Sequence, residues 1–484
     1  MRLKLRLLYV LPALCFTLVA TSLYLGRDHF SRLAWSSAPG LGALRPSPHP
    51  ADPAARPSEA AKPIPSPTYK VPGNSVLSTA EINSYVRAVF NPTSSELPRI
   101  KCPPLNTFRY EPLRSSKTEE GDSHETTTAN HHHIDYFFVL NLRHCVSILP
   151  SLLGSVVEAM RYLGPQRCAL SIVEGNSQDG TPEVLAGIQE GLMALGVGGY
   201  FLQRSDINPI GRREGNRVSK LGDLRNMALQ PLFDMGGEDT QRRNDGPVAD
   251  DDTAVLFIND VVPCVEDLLE LLLQLRVLDA DMTCAMDWTF IGEEPAFYDV
   301  WVSRTITGDS FFEVPNDGSW DRYWNLFWNA PAEATRHRFV AHQPFQVFSC
   351  WNGAVAFGAG PLLHQTESPA GRARDKNGGK PLPPVRFRGP REDHGECMQG
   401  EPQLFCKDLW ARGHGRVAVV PSVNLEYSIH RGQDVKRLRG FVSDLVGRGN
   451  DDPIQWVDEP PEQVKCMPSW TNQYWQPWDA GLWD

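Results

Sequence analysis

The sequence contains no Asn-x-Ser/Thr acceptor for N-glycosylation. That is unusual for a lumenal protein, although it excludes no compartment. An excess of basic charge is also missing. Lys and Arg number 47 against 58 Asp and Glu, a formal net charge of −11. Nucleic-acid binders neutralise phosphates with a basic surface, so no nucleic-acid partner is expected. Cysteine pairing cannot be complete. Of ten Cys, Cys15 lies in an N-terminal apolar run, which leaves nine, so at least one stays free or pairs between chains. Cys397 and Cys406 are candidates for a local bridge. Between about 37 and 72, large apolar residues are almost absent while Pro, Ala and Ser abound. Such a segment cannot bury a core and reads as an extended stem.

What is present begins with a membrane signal. Arg2, Lys4 and Arg6 precede an uncharged run over 7–25, closed by Arg27 and Asp28. Nineteen helical residues cover roughly 28 Å, close to a hydrocarbon core. A signal peptide would carry a shorter apolar centre and a small-x-small cleavage site. The basic flank predicts a cytosolic tail over 1–6, an anchor over 7–25 and a lumenal remainder. A stem then spans 26–78 and an N-terminal extension 79–133, with a helix over 79–90 capped by Ser78 or Thr79. His131, His132 and His133 end that polar stretch and read as a solvated loop.

From residue 134 the pattern changes. Short apolar runs over 134–140, 168–173, 200–203, 254–258 and 282–286 alternate with helical spacing over 148–163, from 181, over 220–229 and over 265–278. Strands alternating with helices predict an α/β domain with a mostly parallel twisted sheet flanked by helices, over 134–445. Two polar insertions, 236–252 and 365–391, read as surface loops. The tail over 446–484 carries five Trp among Pro and acidic residues. Exposing that many indoles is costly, so it should wrap back onto the domain.

Ligands of open α/β sheets bind beyond the carboxyl ends of the strands. That rule selects Asn141 and Arg143 after the first strand. After the second come Glu174 and Asp179, acceptors suited to base and ribose, beside a Gly175–Gly180 turn. Asp260 directly follows 254–258, where one carboxylate can hold Mg²⁺ or Mn²⁺ against a diphosphate. The rival cluster Asp250-Asp251-Asp252 carries more charge, but it precedes the same strand and belongs at the other edge. Arg225 and Asn226 end a helical pattern, and Arg225 could meet a diphosphate bidentately or serve an ion pair. Asp287-Trp288, Tyr298-Asp299-Val300-Trp301, Arg304, Trp351-Asn352-Gly353, Glu396 and Glu401 mix aromatics with acids. That mixture suits a sugar subsite, where rings stack and carboxylates grip hydroxyls.

The stretches NLRHCVSILP (141–150), SIVEGNSQDGT (171–181), LFINDVVPC (256–264), DMTCAMDW (281–288), FYDVWVSR (297–304) and LFCKDLW (404–410) carry a family likeness. In this order they resemble the fungal cryptococcal α-1,3-mannosyltransferase family, which includes capsule-associated proteins and is grouped as glycosyltransferase family 69. The similarity runs from about 134 to 427. It implies a GT-A-like fold, a GDP-mannose donor, a mannoside acceptor, a divalent cation such as Mn²⁺ and retention of anomeric configuration. It also implies a fungal Golgi setting and a role in cell-wall or capsule-like polysaccharide synthesis. Many GT-A enzymes present Asp-x-Asp at the metal, whereas here Asn259-Asp260-Val261 stands there, so a second ligand is open; His430 is a candidate. Asp287 and Glu401 are the candidates for orienting the acceptor. A rival from another class is a non-catalytic factor for polysaccharide export or assembly that keeps the fold.

Overall fold

The run YFFVLNL at Tyr136–Leu142 forms β1, and every residue in it except Asn141 is buried. Tyr136, Phe138, Leu140 and Leu142 point into one core layer, and Phe137 and Val139 into the other. A strand covered on both faces needs this continuous apolar run, not an alternation. β2 (Cys168–Glu174) and β4 (Ala254–Ile258) flank β1 in parallel register, and β3 (Gly199–Arg204) extends the sheet beyond β2. The computed structural model describes residues 75–114, 133–210, 214–236, 247–366, 381–447 and 453–482. The anchor over 7–25, the stem up to 74 and His131-His132 lie outside them.

Past β4 the sheet becomes mixed. β9 (Ala354–Gly358) runs antiparallel between β4 and β5 (Met282–Ile291), and β10 (Val417–Leu425) lies parallel to β5. β8 (Phe345–Ser349) and β7 (Arg304–Thr305) complete the order β3-β2-β1-β4-β9-β5-β10-β8-β7, and β6 (Glu294–Phe297) folds back on β5. β3, β2, β1, β4, β5, β10 and β7 share one direction, so the sheet is mostly parallel with β9 reversed at its centre. That reversal brings the start of β9 to the carboxyl edge of its neighbours.

The helices make two layers. α1 (Thr79–Phe90), α2 (Leu149–Leu163), α3 (Thr181–Gly187) and α5 (Val265–Val277) cover one face, and α4 (Glu214–Gly236) and α6 (Glu401–Ala411) the other. The described stretch that is apolar and long enough to cross a membrane, Val146–Leu163, is largely this buried α2. Ser78 and Glu81 cap α1 reciprocally, with Ser78 N–H donating to Glu81 Oε2 at 2.8 Å. The sequence marked 79–133 as an extension, yet Ile82, Val86, Val89 and Phe90 lie in the same core as α2. A Cys102–Cys264 bridge ties that segment to the residue before α5.

Cys284–Cys350 and Cys397–Cys466 form the other bridges, with Cα separations of 6.2 and 5.9 Å. The expected Cys397–Cys406 pair does not form. Cys406 faces inward from α6 and stays a buried thiol, whereas Cys397 reaches the tail hairpin, β11 (Gln463–Cys466) and β12 (Tyr474–Pro477). The tail does return to the domain: Trp470 packs on Trp301 with ring centroids 4.3 Å apart. The second polar insertion is not wholly a surface loop. Val385 and Phe387 are core residues, and Arg388 is locked between Glu396 and Asp408.

Candidate active site

Backbone positions at the carboxyl edge that adopt left-handed conformations include His144 (φ 52°), Asn176 (φ 55°), Asn352 (φ 54°) and Gly353 (φ 84°). For non-glycine residues this conformation costs on the order of 1 kcal/mol or more, and it tends to collect where function demands it. At Gly353 the reason is visible. A Cβ there would lie 3.2 Å from Asp287 Cβ and 3.2 Å from Val261, so only glycine lets the ends of β4, β5 and β9 converge.

On the β1–β2 side the edge is a braced turn. His144, Cys145 and Val146 donate their backbone N–H groups to Ser177 Oγ (2.9 Å), Thr181 Oγ1 (3.2 Å) and Asp179 Oδ2 (3.0 Å). Burial pushes the Asp179 carboxyl up, but the bonds from Val146 and Thr181 outweigh it and hold it below the ordinary value. Asp179 therefore braces the turn and is not free to accept from a ribose. Glu174 is buried, accepts from Ser177 N–H at 2.7 Å and lies 3.5 Å from Arg204. It borders a cleft of about 380 Å³ with Asn176, Ser177 and Leu202. Arg143 reaches Asn208 at 3.2 Å, and its buried Nε has no partner among the described residues. The amide of Asn141, oriented to satisfy its neighbours, accepts from Arg225 N–H and donates to Leu224 O, each at 3.3 Å.

The β4–β5–β10 side holds the acids. Asp260 follows β4, exposed and with no hydrogen bond or ion pair to another described residue; desolvation by the surrounding protein pushes its carboxyl up, against a bond from its own backbone. Asn259 next to it is fixed, accepting from Trp351 Nε1 at 3.0 Å. Asp287, in β5, accepts from Tyr427 OH at 2.6 Å through Oδ2, while its Oδ1 is buried with no partner. Asp299 accepts from Asn352 N–H at 3.0 Å. Burial, then the charge of Asp299, pushes Asp287 well above the carboxylate range, and burial raises Asp299 to about 6. The Tyr298 ring lies 5.0 Å from Tyr427. Burial, then the charges of Asp287, Asp299 and Asp260, raises the Tyr298 hydroxyl, and Arg217 opposes them. Arg217 sits on the first turns of α4, exposed and without a partner among the described residues.

Four further expectations are corrected. Arg225 does not face the cleft: its Nε donates to Glu401 Oε1 at 2.8 Å and its guanidinium lies 4.2 Å above Trp351. Glu401 is buried and Arg225 half-buried, and the pair engages both, so neither side chain is presented to a diphosphate or an acceptor. Asn226 clamps the Phe387 backbone, donating at 2.7 Å and accepting at 2.9 Å. His430, on the first turn of α7 (Ile429–Arg439), is 87% exposed and faces Asp434 at 3.6 Å. Among the described residues no three of His, Cys, Asp and Glu gather as a metal cage. Arg217 and Tyr427 escaped the sequence reading. The signal for Arg217 was the start of α4, which leaves the carboxyl edge after β3, so its first turns and not its middle face the site.

The model of the family described as Cryptococcal mannosyltransferase 1 matches residues 135–408. The α-1,3-mannosyltransferase CMT1 of Cryptococcus neoformans var. neoformans serotype D is 33% identical over 391 residues, covering 76% of this chain and 75% of that protein. The chain belongs to the cryptococcal mannosyltransferase family. Solved structures with partial likeness include Staphylococcus aureus TarS 1–349 (12% identity, TM-score 0.32, 66% of each chain). Another is the mannosyltransferase PcManGT of Pyrobaculum calidifontis in complex with GDP-Man and Mn²⁺ (12% identity, TM-score 0.29, 69% of this chain and 66% of that one). The cryptococcal mannosyltransferase stretches 141–150, 171–181, 256–264 and 281–288 each cross or adjoin a strand end of the carboxyl edge.

Proposed function

We propose that this chain is a retaining glycosyltransferase with a GT-A-like fold that moves a mannosyl group from GDP-mannose to a mannoside in fungal cell-wall or capsule-like polysaccharide synthesis. The observation that carries the reading is the buried, partnerless Asp287 Oδ1 at the edge where family stretches meet, with the exposed and unpaired Asp260 on the same edge. The nucleoside belongs in the cleft beside Glu174, and the diphosphate between Arg217 and Asp260. Oxygen donors suit a hard divalent cation, and one or two carboxylates suffice when the ion arrives with phosphates. Asp260 fits that need and Asp287 Oδ1 lies on the same edge; His430 does not fit. A cation held there supplies neutralisation of the departing diphosphate.

Asp287 holds the sugar. Tyr427 fixes the carboxyl through Oδ2, which leaves Oδ1 as the free atom. As an acid it donates to a sugar oxygen, and as a carboxylate it accepts from a hydroxyl. The acceptor oxygen then bonds to the anomeric carbon from the face the diphosphate leaves, the carbon–phosphate oxygen bond breaks, and the hydroxyl proton passes to the phosphate. Arg217 meets charge that grows on the leaving group. We further infer a single-pass type II Golgi protein with a lumenal catalytic domain. The 7–25 run supports the anchor, and three disulfides suit an oxidising compartment. Full-length protein in detergent, given GDP-mannose, Mn²⁺ and an α-mannoside, should release GDP and extend the acceptor. Neither product from well-folded protein overturns the reading.

A further inference from the structure

We propose that residues 75–77, where the stem enters the domain, form a wall of the nucleoside cleft and set its grip on a guanine nucleoside diphosphate. This rests on the carboxyl-edge reading above. The cleft of about 380 Å³ lies between the ends of β2 and β3 and helix α3, and its outer side is Ser75 and Val76. A nucleoside fits that volume, with Leu202 and Pro182 offering apolar faces to the base.

The segment is pinned although much of it is exposed. Val76 N–H donates to Glu183 Oε1 at 3.0 Å, and Ser78 begins α1, which packs into the core. Between them Leu77 lies over Gly180, whose φ is +94°; a Cβ there would come within 2.5 Å of Leu77 Cδ1. Gly180 therefore serves both the left-handed turn and the close approach of this strand. Ser75 Oγ is shut off from water with no partner among the described residues, a buried polar group that calls for a ligand or water. The other oxygen of Glu183 has no partner among the described residues. Guanine presents adjacent N–H donors on its ring and amino group, and a carboxylate is the side chain that accepts such a pair. The Val76 bond turns Glu183 toward the cleft, so the stem junction positions the carboxylate that reads the base.

The test uses full-length protein in detergent, with GDP affinity from titration and the KM for GDP-mannose. Val76→Pro removes the N–H donor, whereas Val76→Ala keeps it. Losing one such bond should weaken GDP and raise KM about five- to tenfold, with kcat and melting temperature unchanged; Val76→Ala should match wild type. Ser75→Trp leaves the Val76–Glu183 bond intact and fills the cleft, so it should cost more than tenfold in GDP affinity. It decides the matter if Val76→Pro melts early. Inosine diphosphate, which lacks the 2-amino group, should bind wild type more weakly than GDP and lose that disadvantage in Glu183→Gln. GDP binding that is equal in wild type, Val76→Pro and Ser75→Trp overturns this inference and leaves the carboxyl-edge reading standing. Wild type that binds no GDP at all overturns both.

Discussion

Both edges of the sheet carry acids, and the fold treats them differently. The amino edge opens on the larger cavity, about 520 Å³, lined by Asp135, Asp251, Asp252, Asp279 and Asp281. Most of these acids have a cationic or imidazole partner: Asp135 has His133 and Arg167, Asp251 has His364, Asp279 has Arg416 and Asp281 has His414. Asp250 shares His133 as well. At the carboxyl edge Asp260 is exposed with no partner among the described residues, and Asp287 keeps one oxygen buried without a partner. Cavity size and charge density point to the amino edge, and a buried acid oxygen without a partner points to the other. A folded chain neutralises acids that only support it, so an acid left unsatisfied at a structural cost marks the place where a ligand completes the protein.

The largest test of that contrast is Asp260→Asn against Asp251→Asn. The first keeps volume but loses the charge that holds a cation, and transfer should fall by roughly 10²–10⁴ with melting unchanged. Asp251→Asn should leave transfer as it is, because Asp251 and His364 form an exposed pair at the far edge. Initial rates across a Mn²⁺ titration check both. An active Asp260→Asn beside an inactive Asp251→Asn reverses the assignment of the edges.

Two arginines eight residues apart on α4 sharpen it further. Arg217→Ala removes an exposed cation and should raise the KM for GDP-mannose by about tenfold or more, without a change in stability. Arg225→Ala strands Glu401 as a buried charge and should lower stability by about 3–5 kcal/mol. Equilibrium denaturation and steady-state kinetics on both variants separate the roles. A stable Arg225→Ala with impaired donor binding would restore Arg225 to the site.

This pair also shows what sequence could and could not convey. β4 was readable to the residue, because a five-residue apolar run between polar segments leaves little freedom, and Asp260 was placed by that boundary. Helix α4 begins at Glu214, six residues before its apolar pattern becomes legible at 220. Reading the later start moved the expected cation two turns along the helix, from the cleft into the core. Phe387 and Arg388 looked like loop residues because their partners, Asn226, Glu396 and Asp408, lie elsewhere in the chain. Cys397 was paired with its near neighbour for the same reason. Local periodicity reports which face is buried, but not which distant group satisfies a polar side chain.

A smaller effect separates the edges by the sign of their pH dependence. Burial raises Asp299 to about 6 from an ordinary 3.8, so folding favours its protonated form. The carboxyl is neutral and harmless below pH 4; the cost of burying it grows between pH 4 and 6 and stays constant above that. Asp299→Asn keeps an acceptor for Asn352 N–H and should therefore stabilise the protein by about 1–3 kcal/mol at pH 8, with no gain at pH 4. Stability bought this way should come with slower transfer, since the same charge acts on Asp287. Thermal melts at the two pH values check it. An equal gain at both would tie the effect to packing and not to ionisation.

At the amino edge the corresponding dependence has the opposite origin. His133 donates toward Asp135 at 2.5 Å and faces Asp250 at 2.8 Å. The bond to Asp135, then the bond to Asp250, raises its imidazole to about 10 from 6.5. A group whose folded pKa lies above its unfolded value contributes stability that is complete below pH 6.5 and fades as pH climbs toward 10. The side chain is 39% exposed, so solvent screening cuts the nominal linkage, and about 1 kcal/mol is the reasonable expectation. His133→Asn should thus be less stable than wild type by that amount at pH 6, and the two should converge above pH 10. Transfer activity at pH 6 should be the same in both, because the imidazole anchors acids at the edge away from Asp260 and Asp287. Melting curves at pH 6, 8 and 10.5, with initial rates at pH 6, measure both halves. A constant offset at every pH would remove the ionic account of His133. A variant that keeps its stability but loses transfer would mean that the amino edge takes part in the reaction after all.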